Sequence, residues 1–281
     1  MFGIIGGTGL YKLDGVSNVK SEAVKTPFGE PSSEITMGEI NGTRVAFLPR
    51  HGSGHQILPS EINFRANIWA LKSVGVHRII SVSAVGSLRE NVKPGDLASP
   101  SQYFDWTKGK RANTFFGHGI VAHISSAEPT CPVLQSVLKN QAMKQDIQIH
   151  QNLTYACVEG PRLGTRAESV FLQRSGCDLV GMTNVPEAFL AREAQICYAT
   201  LAVVTDYDCW LDDPSQHASV DKVIELYHSN IGRVKTLLSS VISADVSDDQ
   251  CSCRNALKYA VMTNEESLTS DQKQMLAFLR E

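Results

Sequence analysis

The sequence lacks any strong imbalance of charge. Lysine and arginine number 26 and aspartate and glutamate 29, a formal net charge of −3, so no broad field draws the chain to nucleic acid or to an anionic membrane. A small basic pocket for one anion is still compatible with that balance. No apolar run approaches the roughly 18–20 residues that cross a bilayer. The opening Met1-Phe2-Gly3-Ile4-Ile5-Gly6-Gly7 lacks the basic start and long apolar stretch of a signal peptide. A cytoplasmic location without a membrane partner is expected. Fixed-period repeats, low-complexity tracts and Pro/Gly/Ser-rich linkers are also missing, which excludes fibrous, disordered and solenoid classes. One domain over 1–281 is expected, ending in a helical tail at about 242–281. The seven cysteines include no Cys-x-x-Cys pair, so no metal site is expected. Their odd count and apolar surroundings favour reduced thiols. Cys251-Ser252-Cys253 reads as two thiols near a helix start, with a strained redox clip as the alternative.

What is present is ordinary globular composition, 42% hydrophobic and 20% charged over 281 residues, enough for a sizeable core. Phe2–Ile5, Arg44–Leu48, Arg78–Val82, Leu153–Val158, Leu179–Met182 and Cys197–Thr205 are apolar almost throughout and read as buried strands. Between them lie helical patterns over Ser60–Ser73, Val133–Gln145, Glu187–Gln195, Ser219–Val241 and Asp271–Arg280. Thr165-Arg166-Ala167-Glu168 is a capping box opening another helix through Gln173. Pro132 and Pro186 stand where a first helical turn tolerates a missing N–H. The alternation predicts an α/β fold with a largely parallel central sheet flanked by helices. In such sheets ligands collect at the carboxyl ends of strands.

Polar clusters follow those ends. Gly6-Gly7-Thr8-Gly9 offers backbone N–H groups and a hydroxyl to an anion, although a tight structural turn explains it equally well. Pro49-Arg50-His51-Gly52 adds a planar guanidinium fork and a ring N–H suited to phosphate. His51 and His55 have a metal-like spacing, but Gly52 and Gly54 argue against the helix that metal binding would need. Ser81 to Ser87 combines small residues with hydroxyls. Glu159-Gly160-Pro161-Arg162 reads either as a ligand loop or as a buried Glu–Arg pair holding a loop. Gly181-Met182-Thr183-Asn184 leads into a helix N-terminus, a natural anion site. Thr205-Asp206-Tyr207-Asp208-Cys209-Trp210 places two carboxylates on one side of a continuing strand. Their proximity should raise one pKa and supply a proton donor. Too few further carboxylates lie nearby for calcium. A phosphate site beside a site for a basic heterocycle accounts for all of these at once.

Gly3–Gly9, Pro49–Gly52, Asn67-Ile68-Trp69-Ala70-Leu71, Gly86-Ser87-Leu88-Arg89, Glu159–Arg162, Met182-Thr183 and Thr205–Trp210, in that order, resemble the trimeric purine nucleoside phosphorylase family. Within it they are most similar to the branch acting on S-methyl-5'-thioadenosine. The resemblance covers about residues 3–240 and implies the single-domain nucleoside phosphorylase fold, a homotrimer and no cofactor. It implies that phosphate attacks C1' of methylthioadenosine, releasing adenine and methylthioribose 1-phosphate in purine and methionine salvage. The family's phosphate ligands fall on Thr8, Arg50, His51, Ser83, Ala84 and Thr183. Met182 would line the ribose. Asp206 would protonate purine N7, and Asp208, beside Tyr207, would accept from the 6-amino group. Val220 and Val223 would line the methylthio pocket, helped by His123 of a neighbouring subunit. Ser83 stands where the family often has Thr. Leu163 and Gly164 replace a Phe and a Ser beside the base, which bears on base selectivity. The CxC tail of some prokaryotic members forms disulfides. Two other readings remain: a 6-oxopurine nucleoside or methylthioinosine phosphorylase, disfavoured by Asp206 and Asp208, and a nucleoside-binding sensor without turnover, disfavoured by the intact phosphate set.

Overall fold

The computed structural model describes residues 1–7, 15–246 and 251–281. Strands β1 (Phe2–Gly6), β2 (Ser17–Glu22), β3 (Ile35–Ile40), β4 (Thr43–Pro49), β5 (Arg78–Ser87), β6 (Leu97–Ser99), β7 (Gln102–Trp106), β8 (Ile149–Gln151), β9 (Thr154–Val158), β10 (Leu179–Gly181) and β11 (Cys197–Asp206) form one mixed sheet. Helices α1 (Phe64–Ser73), α2 (Pro132–Lys144), α3 (Arg166–Arg174), α4 (Asn184–Glu193), α5 (Val220–Ile242) and α6 (Ser270–Arg280) flank it. All six strands read from the sequence are present. β1–β4, β1–β5, β5–β11, β9–β10, β7–β9 and β6–β8 pair parallel, while β2–β3, β3–β4, β5–β10 and β6–β11 pair antiparallel.

Side chains alternate across a strand, and here both faces are covered. Ile5, Ala46 and Leu48 pack with Ile68 and Leu71 of α1, Leu190 of α4 and Leu276 and Leu279 of α6. Phe2, Ile4, Val45 and Phe47 pack with Leu134 and Leu138 of α2 and Val234 and Leu237 of α5. Burial on both faces is why these strands read as continuous apolar runs. The expected tail is partly helical: α5 ends at Ile242, and beyond a short turn at Ser252–Asn255 only α6 is a full helix. Leu257, Ala260 and Leu268 of this stretch sit in the same core as β1 and β4.

One helix start differs from the sequence reading and another agrees with it. α1 begins at Phe64, because Asn63 caps it by accepting the Ala66 N–H while its own amide donates to the Phe28 carbonyl. In α4 Val185 is extended (φ −116°, ψ 128°), as sterics before a proline favour, so regular helix starts at Pro186. The Thr165–Glu168 capping box forms as read.

Candidate active site

The sheet forks at β5. Its first half pairs with β1 as far as Ile5–Ser81, and its end pairs with β10 through Gly86 and Ser87. β1 runs parallel to β5 and β10 antiparallel, so the chain direction reverses between them. Such a reversal favours a crevice at strand ends, and Val82–Val85 of β5 pair with neither β1 nor β10. Pro49 of β4 lies beside Gly6 of β1, and Asp206 of β11 beside Gly86, so the loops read as ligand-binding open on one edge. Thr8 lies outside the described residues.

Arg50 is anchored beside Ser81 and Val82 of β5. It is 2% exposed, and its fork closes on Glu187 of α4, with Nε to Oε2 at 2.7 Å and Nη2 to Oε1 at 2.9 Å. Nη2 also donates to Ser81 Oγ and Nη1 to the Val82 carbonyl. The sequence reading aimed that fork at phosphate; the structure commits four of its five N–H groups to the protein. Burial works against the charge, but Glu187 more than compensates, and the pKa lies above its usual value. Glu187 Oε1 further accepts from Ser81 and from Tyr198 at 2.8 Å. Asn184 bridges Tyr198, Thr200 and Ser81 and accepts from Ser83 Oγ at 3.1 Å. Ser81 and Asn184 fall within clusters read from the sequence but without a role of their own, and Glu187, Tyr198 and Thr200 fall outside them, since such pairings have no local signature.

His51 donates from Nδ1 to the Ile57 carbonyl at 2.8 Å and stacks on His55. Burial, then the Arg50 charge, lowers its pKa to about 4. The ring is therefore neutral near pH 7, and Nε2 is an acceptor rather than the donor expected. Thr183 ends the turn after β10. Its backbone N–H reaches the Tyr155 hydroxyl at 3.4 Å. Its Oγ1 is buried beside that hydroxyl and completes no hydrogen bond among the described residues. Ala84 lies on β5 between Ser83 and Val85, paired with Val203.

The two acids stand at the end of β11, where Asp206 lies beside Gly86. Asp206 Oδ2 accepts from Thr205 Oγ1 and Oδ1 from the Asp208 N–H, both at 2.7 Å. Asp208 adopts φ +51°, so a side-chain-to-backbone turn brings the carboxylates together, not continued strand alternation. Both pKa values are raised, chiefly by burial; the like charge of Asp206 adds to the shift at Asp208. A Cβ on Gly86 would lie 2.8 Å from Asp206 Oδ1 and 3.3 Å from Asp208 Cβ, so only glycine fits between them. Tyr207 does not join the pair, because its hydroxyl donates to the Glu90 carbonyl and its ring packs edge-on to Trp210.

The remaining residues surround this centre. Met182 packs its sulfur against Gly160, where a Cβ would lie 2.5 Å away. Arg111, unread from sequence, ties the two loops by binding Glu159 and the carbonyls of Met182 and Val185. The buried Glu–Arg pair expected at 159–162 is thus Glu159 with Arg111, while Arg162 is exposed and pairs with Glu168. A cleft beside Asp208 is lined by Trp106, Gly160, Gly164, Leu172 and Val180. Gly164 borders the Asp208 carboxylate, while Leu163 is largely exposed. The Ala218 N–H donates to the Asp208 carbonyl at 2.7 Å, which anchors the chain just before α5, the helix that carries Val220 and Val223. Val220 is exposed. His123 is exposed, its N–H bound to the Ala260 carbonyl.

Hydroxyls and two buried acids gathered at neighbouring strand ends of an α/β sheet fit a group-transfer enzyme. The chain belongs to the phosphorylase superfamily, whose model matches residues 1–243. It is similar to the S-methyl-5'-thioadenosine phosphorylase of Geobacter sulfurreducens, 46% identical over 98% of this chain and 96% of that one. Its counterpart in Thermofilum pendens is 48% identical over 92% and 98%. Among solved structures, a methylthioadenosine phosphorylase from an antarctic soil metagenomic library superposes with a TM-score of 0.92 at 45% identity, covering 99% and 98%. The Schistosoma mansoni methylthioadenosine phosphorylase in complex with adenine gives 0.82 at 38%, covering 86% and 90%.

Proposed function

We propose that the protein catalyses phosphorolysis of S-methyl-5'-thioadenosine to adenine and S-methyl-5-thioribose 1-phosphate, in purine and methionine salvage. The observation that carries this reading is the pair of acids Asp206 and Asp208, whose burial favours the protonated form, at the end of the strand that runs beside β5 and its Ser83.

A phosphate oxygen forms the bond to C1' as the C1'–N9 bond breaks, and its electron pair flows into the purine. Asp206 delivers its proton to N7, an effect typically worth about 10²–10⁴-fold. Thr8, Ser83, Thr183 and the Ala84 backbone position phosphate. Arg50 contributes a fixed charge and its remaining Nη1 N–H. The neutral His51 accepts at Nε2 from a phosphate hydroxyl. Positioning is the main work, since phosphate brings its own charge. Met182 lines the ribose, and Val220 and Val223 line the methylthio group with His123 from a neighbouring subunit of a homotrimer. Asp208 accepts from the 6-amino group, with Gly164 and Leu163 at the base edge. A 6-oxo base would leave polar groups unpaired, a mismatch that discriminates by about 10⁴–10⁵. Phosphate is a co-substrate, and no organic cofactor takes part. The protein works in the cytoplasm; among the described residues no helix is long and apolar enough to cross a membrane.

The test is release of free base from methylthioadenosine, methylthioinosine, adenosine and inosine, each with and without phosphate. Phosphate-dependent adenine release, fastest from methylthioadenosine, is expected. Preference for the inosine compounds would mean that Asp208 gives its proton to a 6-oxo group. Tight binding of all four without turnover would make the protein a sensor.

A further inference from the structure

Four of the seven cysteines converge in space. Cys131 caps α2, Cys197 opens β11, Cys251 caps the short turn after α5 and Cys253 lies within it. Their sulfurs all lie within 4.8 Å of one another, and all four residues are buried. Cys251 Sγ stands 3.4 Å from Cys131 Sγ and 3.3 Å from Cys197 Sγ. Four thiolates bound tetrahedrally to zinc at about 2.3 Å place their sulfurs about 3.8 Å apart, so the cluster is already near that geometry.

A second observation marks the sulfurs as a place for negative charge. The largely buried Arg192 donates from Nη1 to Cys253 Sγ at 3.8 Å and is itself held by Nε on the Ser125 carbonyl at 2.6 Å. Cys131 adds the N-terminus of a 13-residue helix, which favours an anionic sulfur. Four small apolar thiols packed for volume alone need neither feature.

We infer that Cys131, Cys197, Cys251 and Cys253 form a tetrathiolate site for one divalent zinc-class cation, separate from the phosphorolysis centre. One M²⁺ displaces four thiol protons, giving a net charge of −2 that Arg192 and the α2 N-terminus partly offset. A closed sulfur set of this kind fits a structural ion. It joins the C-terminal stretch to β11 and α2, so metal retention and tail order are coupled. The sequence expectation of no metal rested on the missing Cys-x-x-Cys spacing, which has no bearing on ligands gathered from three distant segments.

The test uses the full chain produced with zinc supplied and kept reduced without a chelator. About one zinc per chain is expected. In the native protein these four thiols should resist alkylation until a strong chelator is added. Cobalt(II) added to the reduced metal-free protein should produce the charge-transfer and d–d absorption of a tetrahedral tetrathiolate. The double variant Cys251→Ser, Cys253→Ser should hold less than about a tenth of the zinc while phosphorolysis stays within about twofold. The wild-type measurements stand alone should that variant fail to fold. Reduced, zinc-supplied wild-type protein without bound metal and without the cobalt spectrum, or with these cysteines joined in disulfides, would overturn the inference. So would four thiols that alkylate freely beside bound zinc.

Discussion

Arg50 and Glu187, 137 positions apart, form a doubly hydrogen-bonded ion pair of which solvent reaches 2% of one side chain and none of the other. The pair joins the loop after β4 to α4 and carries Ser81 and Tyr198 with it. Breaking a buried pair by removing one partner costs about 3–5 kcal/mol, because the other charge is left uncompensated. Glu187→Gln should therefore lower the melting temperature by about 10 °C, at about 2–4 °C per kcal/mol for a chain of this size. Calorimetry reads this directly, and a change below about 2 °C would deny the pair its structural role.

Gly86 separates the acids from the rest of β5. Gly86→Ala must displace Asp206, whose Oδ1 would otherwise lie 2.8 Å from the new methyl. Turnover should fall by about 10²-fold, the low end of what a general acid supplies, with the KM for phosphate within about threefold. Equal losses in both parameters would place Gly86 in the packing of the whole site.

Thr183 tests the proposed phosphate contacts. Thr183→Val removes a hydroxyl that completes no protein hydrogen bond among the described residues, so stability should hold within about 1 kcal/mol. A hydrogen bond to a charged group is worth about 1.5–3 kcal/mol, so the KM for phosphate should rise about 10–100-fold. Thr183→Ser should restore it. A phosphate KM unmoved by the valine would remove Thr183 from the site.

The His51 pKa, lowered from 6.5 to about 4 by burial and then by Arg50, makes stability depend on pH. Between those values the unfolded chain binds more protons than the folded one, so stability is complete above about pH 6.5 and is lost as pH falls toward 4. Allowing for partial exposure, the contribution is on the order of 2 kcal/mol. Urea unfolding of wild type and His51→Phe at pH 7.5 and 4.5 should show the wild type losing more by about that amount. Parallel losses would mean that His51 titrates normally when folded.

Legibility from sequence followed burial and distance along the chain. Strands such as β1 and β11 were plain because both of their faces are covered, leaving unbroken apolar runs. β2 was silent because Ser17–Glu22 is exposed throughout, and β6 and β8, three residues each, are too short to show a period. The Thr165–Glu168 cap was readable because its partners are three residues apart. Asp206 and Asp208 were found as neighbours, but for the wrong local reason: the turn at Asp208 joins them. Arg50–Glu187 and Arg111–Glu159 join residues 137 and 48 positions apart, and nothing in either segment names its partner. The four converging thiols were hidden in the same way.

The central claim is that phosphate takes the sugar. Reaction of methylthioadenosine with the protein in phosphate buffer, followed by phosphorus NMR alongside chromatography of the base, tests it most directly. One S-methyl-5-thioribose 1-phosphate is expected for every adenine released, and no adenine when phosphate is withheld. Adenine accompanied by free methylthioribose, at a rate indifferent to phosphate, would contradict it.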